Sequence, residues 1–178
     1  MAMEHVLARG HRQIAIVAIE SGKGGHTEEY TGTLAARLGG YRAALDAYGL
    51  ALDDPQVQLI EAPTSWAGGR AAFAQLWDGP QRPTAIVAMS DIIAIGAMEA
   101  AIEQNLQLPR DLSVVGFDDL PDAHYMRPGL TTVRQPVEEK GVLAAEVLVA
   151  ALQREHALDH HILPCELVVR QSVADLVG

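Results

Sequence analysis

Asp111 to Pro136 reads DLSVVGFDDLPDAHYMRPGLTTVRQP, and the fold is decided where an apolar run within it meets two adjacent carboxylates. Ser113-Val114-Val115-Gly116-Phe117 is β-branched and almost continuously apolar, as in a strand buried on both faces of a parallel sheet, and Asp118-Asp119 follow at its carboxyl end. Ligand crevices of open α/β sheets form at such ends. An unpaired buried carboxylate is costly, so two acids at this position call for a nearby cation or a polar ligand.

Working outward, the periodicity predicts strands at Gln13 to Ile19, Val57 to Ala62, Thr84 to Met89 and Leu112 to Phe117. Between them the spacing predicts helices over Thr33 to Tyr48, with Leu34, Leu38, Tyr41 and Leu45 on one face, then Ala67 to Trp77 and Asp91 to Asn105. Strands alternating with helices of these lengths imply right-handed crossovers and an α/β fold, a parallel sheet flanked by helices on both faces. After Asp118 a long loop with Pro121, Pro128 and Gly129 is expected, then a short strand, Thr131 to Arg134. Pro136 marks the entry to a helix from Val137 to Arg154 with an apolar stripe of Val137, Gly141, Ala144, Ala145 and Leu148, and a strand-like run, Ile162 to Val169, closes the pattern. Val6 and Leu7 suggest the end of a helix in Met1 to Arg9, which reads as the cut edge of a larger protein.

The 178 residues carry 13 Lys plus Arg against 23 Asp plus Glu, a net charge of −10 with no basic stripe. Direct nucleic-acid binding by this chain is therefore not expected. Cys165, the single cysteine, permits no intramolecular disulfide and reads as a small half-buried strand residue. With no signal peptide and no apolar run of about 18 residues, the chain reads as cytoplasmic and free of membrane contact.

Enzymatic motifs fail one by one. Ser21-Gly22-Lys23-Gly24-Gly25 follows the first strand, but neither P-loop nor dinucleotide glycine spacing occurs, leaving a rim loop. His156 and His160, with His161 beside them, would hold a metal only on a helix, and Leu158-Asp159 reads as a turn, so no metal is expected. Ser90-Asp91 lacks a nucleophile elbow and a suitably placed His; its ordinary role is capping the following helix. What remains is convergence. Arg37, Thr64 or Trp66, Ser90, Asp91 and Asp118 all fall at the same end of successive strands, where one crevice could collect them to grip a polar ligand. Neither cofactor nor catalysis is called for.

The ordered set of motifs resembles the effector-binding core of the lactose-repressor and galactose-repressor (LacI/GalR) family of transcription regulators. Its carriers run from Gly10-His11-Arg12-Gln13-Ile14-Ala15, Arg37-Leu38-Gly39-Gly40-Tyr41 and Pro83-Thr84-Ala85-Ile86 to Ser90-Asp91 with Ile95-Gly96-Ala97-Met98. Val114 to Asp119, Leu130 to Pro136 and Leu163 to Ser172 complete it. The resemblance implies a periplasmic-binding-protein-like (type I) core of two subdomains closing on a sugar, sugar phosphate or nucleobase. On that pattern residues 1–10 are the remnant of a crossover helix and 11–135 the carboxyl-side subdomain. Residues 136–165 belong to a partial amino-side subdomain, and 166–178 are the return strand and tail.

Carried over by position, Arg37 resembles the family's effector-binding arginine and Asp118 its ligand-accepting carboxylate. Ser90 stands where many members have Asn, and either Trp66 or Thr64 takes the place of an apolar or aromatic contact. Ile92, Ile95, Met98 and Tyr125 resemble the dimer surface, implying a homodimer. Operator DNA would be reached only through a helix-turn-helix headpiece that this chain does not include. A periplasmic sugar-binding protein of a transporter shares the fold and is the alternative.

Overall fold

Successive side chains of a strand point to opposite faces, and Ile14–Ile19 (β1) fills both cores this way: Ile14, Ile16 and Ala18 enter one, Ala15 and Val17 the other. The computed structural model describes residues 1–22, 26–153 and 161–176. With β1, the strands Val57–Ala62 (β2), Ala85–Ala88 (β3), Ser113–Asp118 (β4), Thr131–Arg134 (β5) and Glu166–Val168 (β6) form one sheet in the order β2-β1-β3-β4-β5-β6. All neighbours pair in parallel except β5 and β6, which are antiparallel.

Helices cover both faces. Ala2–Ala8 (α1) and Gly32–Ala47 (α2) pack on the side of Ile14 and Ile16; Trp66–Trp77 (α3) and Asp91–Glu103 (α4) pack on the side of Ala15 and Val17. Phe73, Leu76, Met98 and Ile93 are fully buried there, each apolar side chain contributing on the order of 1.5–3 kcal/mol. A methyl on Gly69 would sit 2.1 Å from the Ile93 carbonyl oxygen, and one on Gly96 2.2 Å from that of Trp66, so α3 and α4 touch backbone to backbone.

From β1 the chain passes through α2 to β2 at the sheet edge, then crosses back through α3 to β3 on the other side of β1. The direction of winding therefore reverses between β1 and β3. Crevices at the carboxyl ends of strands open at such reversals.

Three elements differ from expectation. Pro121–Tyr125 (α5) is a short helix, because a proline at the first helical position gives up no hydrogen bond and already has the right φ. The closing strand is limited to Glu166–Val168, with half-buried Cys165 just before it. Val137–Leu152 (α6) contains no buried residue, and its expected apolar stripe is unpacked: Val137, Gly141, Ala144, Ala145 and Leu148 are all exposed. Arg154, His156 and His160 lie outside the described residues, as do Lys23 to Gly25 of the rim loop.

The tail after β6 returns beneath the sheet. Buried Ser172 donates through Oγ to the Val114 carbonyl at 2.5 Å and accepts from the Thr131 amide at 2.8 Å. His11, also buried, bridges Thr84 Oγ1 at 2.9 Å and the Ala174 carbonyl oxygen at 3.1 Å. No helix among the described residues is long and apolar enough to cross a membrane.

Candidate functional site

The crevice is built at the ends of β3 and β4, where α2 leans over from the neighbouring strand. Arg37, in the second turn of α2, is not on a solvated face: its Nη1 donates to the Met89 carbonyl at 2.5 Å, and its guanidinium carbon lies 3.7 Å from the Phe117 ring centre. Its Nη2 stands 3.9 Å from Asp118 Oδ1. Stacking and the carbonyl bond fix the plane of the fork and leave it beside the carboxylate.

Asp118 Oδ1 accepts from Gln135 Nε2 at 2.6 Å, and the Ser90 side chain lies close enough to influence the carboxylate. Burial pushes its carboxyl up, against the opposing pull of Gln135, Arg37 and Ser90. Ser90, buried at the N-cap of α4, makes no side-chain cap bond and stands beside Asp118. Arg37, Ser90 and Asp118 thus share one cluster, with Gln135 and Phe117 added to it. A cavity of about 460 Å³ adjoins it, lined by Asp118, Asp119, Arg134, Gln135, Pro136 and the first turn of α6.

Other expected members lie elsewhere. Asp91 is fully buried and points inward: Oδ1 accepts from Thr132 Oγ1 at 2.5 Å and Oδ2 from the Leu120 amide at 2.7 Å. It neither caps its own helix by side chain nor faces the crevice; burial raises its pKa against those two bonds. Oδ1 would lie only 2.1 Å from a methyl at Gly116, so the glycine makes room for the carboxylate.

Trp66 opens α3, which lies on the sheet face opposite α2. Its indole N–H donates to Glu99, the Arg70 guanidinium covers its ring at 4.6 Å, and Arg70 pairs with Glu103. That places it with the expected dimer surface, around a cavity of about 350 Å³ shared with Ile92, Ile95, Leu120, Tyr125 and Met126. Thr64 is exposed in the loop after β2, two strands from β3. Of the dimer residues, Tyr125 is 71% exposed and Ile92 half-buried, but Met98 is wholly inside this chain's own core and Ile95 nearly so. Met98 is therefore corrected from interface to core.

Sequence reasoning missed a further carboxylate at the same end of the sheet. Glu61, near the end of β2, accepts from Ser21 Oγ at 2.5 Å and Tyr30 Oη at 2.7 Å. Burial, then Glu61, raises the Tyr30 pKa. An acid closing an apolar strand was the available signal. Among the described residues no group of three or more His, Cys, Asp or Glu is placed to hold a metal.

Residues 3–173 match the periplasmic binding protein-like domain family. The chain is the effector-binding core of a LacI/GalR-family regulator. It is 34% identical over 185 residues to the HTH-type transcriptional repressor PurR of Escherichia coli O139:H28, covering 98% of this chain and 49% of that protein. A LacI family regulator from Enterococcus faecium, solved with bound ribose, superposes with a TM-score of 0.86 at 31% identity, covering 98% of this chain and 61% of that one. A dimeric Lac repressor with a C-terminal deletion gives 0.84 at 29% identity, covering 97% and 59%. This LacI/GalR chain therefore spans about half the length of the curated relative and about three-fifths of those solved structures.

Proposed function

We propose that this core senses a small polar molecule, a sugar or sugar derivative in the first place, and relays its presence to a DNA-binding headpiece carried elsewhere in the intact protein. The observation that carries the reading is the approach of Arg37 to Asp118 at 3.9 Å, a donor fork and an acceptor carboxylate side by side at the strand-end crevice. Such a pair grips hydroxyl or ring N–H groups in a fixed orientation. On this reading the ligand is held and released unchanged. The ribose in the Enterococcus faecium relative supports a sugar; sugar phosphates and nucleobases are the other classes to screen. The repressor and regulator names of the relatives favour this over the binding component of a transporter, and support a cytoplasmic setting.

In the intact dimer, effector binding favours one relative orientation of the subdomains and shifts operator affinity by a coupling of about 1–3 kcal/mol. A thermal-shift screen of the intact protein against sugars, sugar phosphates and nucleobases tests the reading, because a binder raises stability by RT ln(1 + [L]/Kd). Asp118→Ala abolishes the shift. A ligand that stabilises the Asp118→Ala protein as well as the parent, or binds without altering operator affinity, refutes it.

A further inference from the structure

Where β4 ends, two consecutive residues other than glycine take positive φ, Asp118 at 124° and Asp119 at 56°. L residues avoid this region, and a pair of them there persists only when the surroundings impose it. The imposing contacts converge on Asp119. Its Oδ1 accepts from Arg170 Nη2 at 2.6 Å and its Oδ2 from Arg134 Nε at 2.7 Å, with Arg170 anchored in turn on the Leu130 carbonyl at 2.7 Å. The following amide, that of Leu120, is held by Asp91. Burial alone would push the Asp119 carboxyl up; the two guanidinium bonds outweigh it and hold the group below the ordinary carboxylate range. The two adjacent carboxylates therefore diverge, Asp119 toward the arginines and Asp118 toward Arg37, Ser90 and Gln135.

We propose that Asp119 is a positioning residue: gripped by Arg134 and Arg170, it holds the left-handed turn that sets the Asp118 carboxylate beside Arg37 to meet the ligand. The ligand-facing half of this statement rests on the effector reading above; the turn itself does not. Arg134 closes β5 and Arg170 follows β6, so the grip also joins the segment leading into α6 to the one that comes back. Its geometry follows whatever displaces either segment.

Arg170→Met in the intact protein separates positioning from mere charge, because the two act on Asp118 with opposite sign. Losing a nearby cation raises the Asp118 midpoint further. Releasing Asp118 from its half-buried place into water lowers it toward the ordinary carboxylate value. The midpoint is read from aspartate-selective carboxyl ¹³C titration, assigned with Asp118→Asn, and a crystal structure of the variant gives the Asp118 backbone and its distance from Arg37.

The midpoint is expected to fall, the positive φ of Asp118 to be lost, and the Arg37 separation to exceed the parent's 3.9 Å. Arg170→Lys, which keeps one bond to Asp119, is expected to restore the parent midpoint in part, and it serves equally if the methionine variant does not fold. An Asp118 that keeps its place beside Arg37 in these variants, with a midpoint unchanged or raised, overturns the proposal. Titrating a panel of sugars, D-ribose among them, into the parent protein is a separate arm: failure of all of them to bind tells against a sugar effector and leaves the turn's measurement standing.

Discussion

Gly116→Ala places a methyl group 2.1 Å from Asp91 Oδ1 and 3.0 Å from Leu130 Cδ2, inside β4 where no exposed route lets it move aside. Asp91 must yield, and it is held by the Thr132 hydroxyl at 2.5 Å and the Leu120 amide at 2.7 Å. Overpacking costs about 1–3 kcal/mol, and weakening one hydrogen bond to a charged acceptor adds about 1.5–3 kcal/mol, so a loss of about 2.5–6 kcal/mol is expected. Asp91→Ala also destabilises, by about 2–4 kcal/mol: it leaves two donors without an acceptor at about 1–3 kcal/mol each, offset in part by removal of a desolvated carboxylate. The double variant is where the reasoning is exposed. With the carboxylate gone the methyl added at position 116 has space, so the two losses should fall short of additive by about 1–2 kcal/mol. Urea unfolding of the four proteins, followed by far-ultraviolet circular dichroism with a common slope, gives the cycle. Additivity within about 0.5 kcal/mol would falsify the close contact as the reason for the glycine.

Arg37→Lys keeps the charge but loses the planar fork that bonds Met89 and stacks on Phe117, and calorimetry on an identified effector should show about tenfold weaker binding, ~1.4 kcal/mol. Tyr125→Glu puts a charge on the exposed apolar patch beside Ile92 and Trp66; on the homodimer reading, sedimentation of the intact protein should show weakened self-association, and an unchanged association constant would remove this patch from the interface. Burial, then Arg9, pushes His5 from 6.5 down to about 4, and burial lowers His11 as well. Burial disfavours the charged form of both in the folded chain while the unfolded chain takes up protons, so their contribution to stability is full above pH 6.5 and declines as pH falls, for His5 through about 4. His5→Gln with His11→Gln should flatten that decline in thermal melts; a slope equal to the parent's would show that other groups cause it.

Much of the fold is legible because each strand and helix carries its own period. Continuous apolar runs such as IAIVAI and the heptad-like spacing of Leu38, Tyr41 and Leu45 fix element type locally, and the burial of those residues agrees. Arg37 and Asp118 are legible by one further step, that strand ends of a parallel sheet meet at one edge. The residues that mislead are those whose direction is set by distant chain. Asp91 begins a helix after a strand just as a capping residue does, and only the positions of Thr132 and Leu120 turn it inward. Trp66 comes after a strand end like the others, yet the β2-to-β3 crossover puts α3 on the far face of the sheet. In α4 nearly every turn is apolar, so no stripe distinguishes Met98, which is buried, from Ile92, which is half-buried. Pro121 reads as a breaker in a proline-rich loop, because the turn of helix it opens is only five residues long and carries no period of its own.

With Gly69 against Ile93 and Gly96 against Trp66, no side chain lies between α3 and α4 at these points to change rotamer or absorb a shift. The pair should behave as a welded plate: a push received at Trp66 or Ile92 on its outer surface reaches Ser90, at the root of α4, with little lost to cushioning on the way.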